Sequence, residues 1–360
     1  VRIAIDASRT TVARVTGTEH YAIELIRALI RRNTQHQITL YFRDTPAPDL
    51  FPASPLVRQR VLAQRRLWTH TAFAAALWRN RPDVTWVPAH ALPLVMPGRA
   101  VVTVHDLGFR YFPAAHPGWP RLYLNLSTAA SVRRASVVLA DSEATAADVT
   151  RFYGTAPDKL RVVYPGVEPP PVGDVEAVRA KYGLPPRYFL FVGTLQPRKN
   201  IPRIVQAYAR WCAAHPGEDA ALVLAGGQGW LYDPAWVDGV EGVILTGYID
   251  EADKGALYAG ALALVFPTLY EGFGFPVVEA MHCGTPVICS TTSSLPELVG
   301  DAALLVDPLD VDAIAAAMGR LASDAALRET LRARGMAQAH RFTWEDAATA
   351  TLDALERAVQ

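Results

Sequence analysis

Two doubly wound α/β domains, each built on a parallel sheet, are what this chain predicts, and three observations carry the prediction. Short apolar runs alternate with amphipathic helical stretches along all 360 residues. A proline-rich break divides the alternation near its middle. Glycines, histidines and carboxylates repeatedly fall directly after the apolar runs.

The runs in the first half are Arg2–Ile5, Ile38–Phe42, Val84–Val87, Ala100–Val104, Val137–Ala140 and Leu160–Val163. Those in the second half are Tyr188–Val192, Leu222–Ala225, Val243–Leu245, Leu262–Phe266, Pro286–Cys289 and Leu304–Val306. They are strand-sized and apolar on both faces, as strands covered by helices must be. Strand–helix alternation then argues for parallel sheets. The break is Tyr164–Gly173, with four prolines and two glycines in ten residues. Such a stretch is semi-rigid and cannot supply interior ladder hydrogen bonds. The expected organisation is therefore a first domain over 1–168, a second over 169–342 and a closing helix over 343–360. Thr343 and Asp346 form the start signal of that helix, with Ala348, Leu352, Leu355 and Val359 on one face.

Composition narrows the function classes. Apolar residues make up 51% and charged residues 19%, which excludes a disordered chain. No apolar run reaches the ~18 residues of a membrane-spanning helix. The chain opens on Val1-Arg-Ile-Ala-Ile5 with no basic-then-apolar leader, so the expectation is a cytoplasmic protein. Cys212, Cys283 and Cys289 show no metal-ligand spacing and read as thiols of a reducing compartment. The formal net charge of +0 hides an asymmetry: residues 1–165 hold 21 Lys+Arg against 11 Asp+Glu, and the remainder holds 14 against 24. A basic half suits a phosphate-bearing ligand or an anionic membrane, or simply attracts the acidic half. No stacking motif accompanies the charge, so nucleic acid is not an expected partner.

In doubly wound sheets, ligands bind beyond the carboxyl ends of the strands. Asp6, His105-Asp106, Asp141-Ser142, Gly193, Gly226-Gly227, Gly247 and Glu271 all sit at or near such ends, which suggests a cleft between two domains whose strand ends face each other. The most informative segment is Tyr270–Gly284. Pro276 suits a first helical turn and Gly284 a helix end, so Gly272-Phe273-Gly274 becomes a loop before a short helix with free amides. Glu279 lies inside that helix and Glu271 before it. Taken alone, Glu271 reads as a carboxylate capping a glycine turn; the whole segment reads as a ligand loop. Arg198-Lys199, after the turn Gly193–Pro197, suits a phosphate or is a solvated basic turn.

Other patterns are discounted. Gly226-Gly-Gln-Gly229 lacks the spacing of a dinucleotide fingerprint. Asp310-Val-Asp312 precedes a helical stretch and reads as its cap. His20, His36, His70, His215 and His340 show no metal spacing, and Ser142 lacks the context of a nucleophile.

Through Glu271–Glu279, Phe191–Asn200, Gly226-Gly227, Gly247-Tyr248, His105-Asp106, Pro165–Val167 and Phe342–Trp344, the chain resembles the retaining group 1 (family 4) glycosyltransferases of the GT-B fold, nearest their bacterial mannosyltransferase-like branch. The resemblance implies two Rossmann-like domains and a closing helix that returns to the first. It implies that Glu279 binds the donor ribose, Lys199 the diphosphate, and Glu271 with the amides of Gly272, Phe273 and Gly274 the transferred sugar, beside Phe275. Gly193, Thr194 and Gly226 would line the donor, and the backbone at Gly247, Tyr248 and Ile249 would read its base. His105 would contact the sugar; Gly17 and Asp106 belong to the acceptor side. Thr194 stands where many members carry Arg, so Arg198 is expected to supply that charge. Only Gly17, in Val15–His20, remains of the family's glycine loop before the first helix.

The implied reaction is sugar transfer from a nucleotide diphosphate sugar, GDP-mannose by branch, to a hydroxyl of a glycan or lipid-linked acceptor, with no metal and no other cofactor. The alternatives are a UDP- or ADP-sugar donor, a nucleotide-sugar epimerase of the same fold, and a two-domain sugar-binding protein without catalysis. A further expectation concerns Val57–Arg81, which holds Arg58, Arg60, Arg65, Arg66, Arg79 and Arg81 with Trp68, Phe73 and Trp78 and no acidic residue. Read as one helical stretch, it is either a peripheral membrane surface or a core-packed helix with its arginines in water.

Overall fold

All paired strands run parallel, in two separate sheets. The computed structural model describes residues 1–12, 16–64, 66–89, 91–115 and 118–360. They fall into two units, Val1–Gly166 with Phe342–Gln360, and Val167–Arg341.

The first unit contains β1 (Arg2–Asp6), β2 (Gln37–Phe42), β3 (Val57–Val61), β4 (Val84–Val87), β5 (Arg99–Val104), β6 (Val137–Ala140) and β7 (Leu160–Val162), in the spatial order β3-β2-β1-β4-β5-β6-β7. Its helices are α1 (Gly17–Arg32), α2 (Ala72–Asn80), α3 (Gly108–Tyr111), α4 (Trp119–Arg134) and α5 (Glu143–Tyr153). The second unit contains β8 (Tyr188–Val192), β9 (Ala221–Ala225), β10 (Val243–Gly247), β11 (Ala263–Phe266), β12 (Val287–Ser290) and β13 (Leu304–Val306), ordered β10-β9-β8-β11-β12-β13. Around it lie α6 (Val175–Tyr182), α7 (Ile201–Ala214), α8 (Glu251–Ala259), α9 (Phe275–His282), α10 (Leu295–Val299), α11 (Val311–Ser323) and α12 (Ala325–Ala339). The chain then returns to the first unit as α13 (Trp344–Val359).

The central strands are the apolar runs of the sequence. Tyr188–Val192 and Ala221–Ala225 are buried throughout, because helices cover both faces of their sheet. Fully burying one such Leu, Val or Phe side chain contributes about 1.5–3 kcal/mol, so each strand is held by its own composition. The strand order reverses between β1 and β4 and between β8 and β11. The connections that leave these paired neighbours pass to opposite faces of the sheet at those two points, which opens a crevice at the strands' carboxyl ends.

Three sequence expectations need correction. β3 reads Val57-Arg-Gln-Arg-Val61 and was missed, because it is an edge strand with no apolar face. Val57–Arg81 is not one helical stretch: it comprises β3, a 3-10 turn at Trp68–His70 and the nine-residue α2. Trp68 and Phe73 stack at 5.0 Å inside the core, whereas Trp78 is exposed. Arg65 and Val15 lie outside the described residues. On α13 the buried face is Trp344, Ala347, Ala348, Thr351, Ala354, Leu355 and Ala358, so Val359 is not part of it. The start of α13 is as expected: Thr343 Oγ1 accepts the amide of Asp346 at 3.1 Å. Asp310 caps α11 by accepting the amide of Ala313, and Ser142 caps α5 by accepting that of Thr145.

Candidate active site

In the second unit the crevice between β8 and β11 is built by two loops. After β8 the chain passes Gly193 and Thr194 and enters a 3-10 turn, Pro197–Lys199. Asn200 ends that turn in the left-handed region (φ +63°). Its side-chain amide donates to the carbonyls of Pro267 and Pro308, at 2.8 and 2.7 Å. The turn is thereby fastened to the end of β11, and Arg198 and Lys199 are held over it.

Glu271, in the loop after β11, is buried and receives both cations. Lys199 Nζ donates to Oε1 at 2.7 Å and Arg198 Nη1 to Oε2 at 3.1 Å. Arg198 Nη1 also donates to the carbonyl of Tyr270 at 2.8 Å. Burial opposes ionisation of Glu271, but Lys199 and Arg198 outweigh it and hold its pKa below the ordinary carboxylate value. The amide of Glu271 donates to Ser293 Oγ, and Ser294 Oγ donates to the carbonyls of Glu271 and Phe273. These two serines, absent from the sequence reading, shape the Gly272–Gly274 loop from beneath. Gly274 precedes α9 at φ +131°, a conformation that side-chain-bearing residues rarely adopt. Phe273 and Phe275 pack edge to face at 5.1 Å.

Glu279 sits on α9 between two residues of α8. Lys254 Nζ donates to Oε1 at 2.9 Å and Tyr258 Oη to Oε2 at 2.7 Å. Burial lowers the pKa of Lys254, but Glu279 outweighs it and raises it overall; burial and then Glu279 push Tyr258 well up. Lys254 and Tyr258 were not foreseen. Their only signal was their i,i+4 spacing on a short helix that also carries Glu251 and Asp253.

The remaining donor-side positions follow the same sheet. Gly226 follows β9 so close to Gly193 that an added Cβ would stand 2.1 Å from the Gly193 carbonyl oxygen. Thr194 lies against Gly229. Gly247 ends β10 and is followed by exposed Tyr248 and buried Ile249. These groups, Glu279 and the Glu271 cluster all belong to one unit.

In the first unit, His105 follows β5 and Asp141 follows the adjacent β6. Nδ1 of His105 lies 2.7 Å from Asp141 Oδ2, and Nε2 lies 3.1 Å from the carbonyl of Pro88. A carbonyl only accepts, so Nε2 carries a proton and donates to it, while Nδ1 meets the Asp141 carboxyl, whose own pKa is raised by burial against the opposing pull of His105. Burial opposes the charged ring, but the charge and hydrogen bond of Asp141 outweigh it and raise the His105 pKa. Tyr21 packs edge-on against the ring at 4.7 Å. Asp141 is thus the partner that orients His105. Asp106 Oδ1 accepts the amide of Gly108, which turns the chain into α3. Gly17 is the first residue of α1, behind the Thr16–Glu19 capping box.

Chemically, the second-unit cluster gathers two cations that can stabilise an anion at the strand ends, and Glu279, on α9, is a carboxylate that can accept hydrogen bonds.

A model described as glycosyl transferases group 1 matches residues 174–338, and one described as glycosyltransferase family 4 matches residues 15–169. The O-antigen chain mannosyltransferase B of Escherichia coli is 37% identical over 369 residues, covering 94% of this chain and 96% of that protein. The serotype-specific mannosyltransferase WbdA of Escherichia coli is 29% identical over 287 residues, covering 74% of this chain and 34% of that protein. Sucrose-phosphate synthase from Thermosynechococcus elongatus has a similar fold, with a TM-score of 0.77 and 24% identity over 99% of this chain and 98% of that chain.

Proposed function

The chain belongs to the group 1, family 4 glycosyltransferases, with the GT-B fold, and from that premise we propose that it is a retaining mannosyltransferase. It moves mannose from GDP-mannose to a hydroxyl of a glycan or lipid-linked acceptor in the assembly of a cell-surface polysaccharide. The observation that carries the chemistry is the seating of Arg198 and Lys199 against Glu271 beyond β8 and β11, where the strand order reverses. Support for mannose comes from the 37% identical relative named as an O-antigen chain mannosyltransferase.

In this reading the donor diphosphate occupies the cations now neutralised by Glu271, and Glu279 accepts from the ribose hydroxyls. The anomeric C–O bond to the diphosphate breaks, and negative charge grows on the leaving oxygen. Lys199 and Arg198 stabilise that charge electrostatically. The acceptor oxygen bonds to the anomeric carbon from the face the diphosphate leaves, and its proton passes to a diphosphate oxygen. Glu271, released from its cations, contacts the transferred sugar from the second unit. In the first unit, His105 is held in place by Asp141. Gly272, Phe273, Gly274 and Phe275 wall the sugar, and the backbone at Gly247, Tyr248 and Ile249 meets the base.

No helix among the described residues is long and apolar enough to cross a membrane. The reading has the enzyme work in the cytoplasm, peripheral to the inner face of the membrane.

Two measurements test the donor and the chemistry. Isothermal titration should show GDP binding more tightly than UDP or ADP; clearly tighter UDP binding would replace the donor and keep the enzyme class. Transfer should persist in excess EDTA, because the leaving group is met by Lys199 and Arg198. Complete loss in EDTA with recovery on adding Mg²⁺ or Mn²⁺ would refute leaving-group stabilisation by these two side chains.

A further inference from the structure

The first unit carries an apolar surface that the catalytic reading does not use. On α4, Trp119, Leu122, Tyr123 and Leu126 are spaced three and four residues apart, so they share one helix face, and all four are exposed, Trp119 by 80%. Two further segments join this face. His70 bonds Tyr123 Oη through Nε2 at 3.2 Å, and its Nδ1 accepts the amide of Leu94 at 3.4 Å. Leu94 and its neighbour Val95 are 69% and 66% exposed, and Leu67, three residues before His70, is 70% exposed. The loop carrying Leu94 is fixed along α4 at both ends. The Leu92 amide donates to Ser131 Oγ, and Arg134 donates to the carbonyls of Met96 and Gly98. Three segments distant in sequence thus build one patch of tryptophan, tyrosine and aliphatic side chains facing water, more than isolated exposed residues amount to.

The charge around the patch selects its occupant. Between Asp83 and Asp141 the only acidic residue is Asp106, whereas Arg99, Arg110, Arg121, Arg133 and Arg134 fall in the same interval. Arg133 is exposed at the end of α4, and Arg66 is exposed beside Leu67. A second copy of the chain would bring the same arginines against themselves, because a two-fold interface places one patch on its own image. An anionic surface complements both features. Tryptophan and tyrosine suit the headgroup level, the leucines suit the acyl boundary, and arginines suit lipid phosphates.

We propose that the exposed face of α4, with Leu67, Leu94 and Val95, docks the protein on an anionic lipid bilayer. The contact belongs to this assembled patch and not to Val57–Arg81, whose Trp68 and Phe73 are in the core. The proposal deepens the peripheral placement given above, and the two readings fail separately, since transfer to a soluble acceptor does not need the patch.

The test is vesicle co-sedimentation of the full chain. At low salt it should pellet with vesicles of equal parts phosphatidylcholine and phosphatidylglycerol, and poorly with phosphatidylcholine alone. High salt should release most of it. The Trp119→Ser, Leu126→Ser double variant should partition about tenfold more weakly, through loss of buried apolar area. Arg66→Gln and Arg133→Gln should each weaken binding about fivefold and flatten the salt dependence. Leu309→Ser, at an equally exposed leucine of the second unit, is the control and should bind as the parent does. Transfer to a soluble acceptor and the melting temperature should be unchanged in all variants. Absence of pelleting with the anionic vesicles, or equal pelleting of parent and double variant, would overturn the proposal. So would a solution dimer that the double variant dissociates.

Discussion

Lys199→Ala should lower turnover by about 10²–10³, the loss observed when one preorganised donor to a developing negative charge is removed. Lys199 and Arg198 are the two cations joined to Glu271, and Lys199 makes the shorter contact, at 2.7 Å. Without Lys199, Arg198 still neutralises Glu271, so no buried carboxylate is left wholly unpaired. The variant should therefore fold, which a melting curve checks. The loss should appear in kcat and kcat/KM together, because the charge Lys199 meets is largest in the transition state. Glu271→Gln separates two readings of the cluster. If Glu271 only holds the cations, the neutral amide frees them and donor binding tightens with turnover intact. If it also contacts the transferred sugar, turnover falls even though the cations are freed for the nucleotide. Wild-type kcat in Lys199→Ala would remove the cluster from the chemistry.

Much of the architecture was legible because helices cover both sheets. A strand buried on two faces is an apolar run, so Val84–Val87, Val137–Ala140 and Tyr188–Val192 are bounded in the structure as their composition marks them. The rule fails at an edge. β3 pairs on one side only and carries valine only at its two ends, with Arg58, Gln59 and Arg60 between, which leaves no hydrophobic signal to find. The same segment then misled in the opposite direction. A helical reading of Val57–Arg81 runs through Leu67, which adopts a left-handed backbone (φ +52°) and stops any helix there. Exposure was the harder quantity. Leucine and tryptophan are buried more often than not, so nothing in Trp119–Leu126 distinguishes a face in water from a face in the core until the neighbours are placed.

The site was legible as residue types and illegible as pairs. Glu271 and Lys199 are 72 positions apart, and only the adjacency of β8 and β11 brings them to 2.7 Å. His105 and Asp141 meet for the same reason, as residues that follow the neighbouring strands β5 and β6. Each had been singled out for lying at a strand end. Their hydrogen bond needed the strand order, which local pattern does not contain.

Strand order also sets what Glu279 can do. Glu279→Gln should weaken GDP binding by about tenfold, the difference between hydrogen bonds to a charged and to a neutral acceptor. The carboxylate is oriented before any ligand arrives, because Lys254 and Tyr258 hold one oxygen each. A glutamine keeps the acceptor oxygen and the shape but loses the charge and places an amide donor toward one of those partners. Lys254 retains Glu251 at 3.1 Å, so the variant does not strand a buried cation. The contact to ribose is isolated by titrating GDP and 2′,3′-dideoxy-GDP into parent and variant. If Glu279 accepts from the ribose hydroxyls, the substitution weakens GDP and leaves the dideoxy nucleotide nearly unaffected, since the groups it would have bound are missing from both sides of the comparison. If both nucleotides weaken alike, Glu279 acts by fastening α9 to α8, and the ribose contact must be sought elsewhere in the second unit.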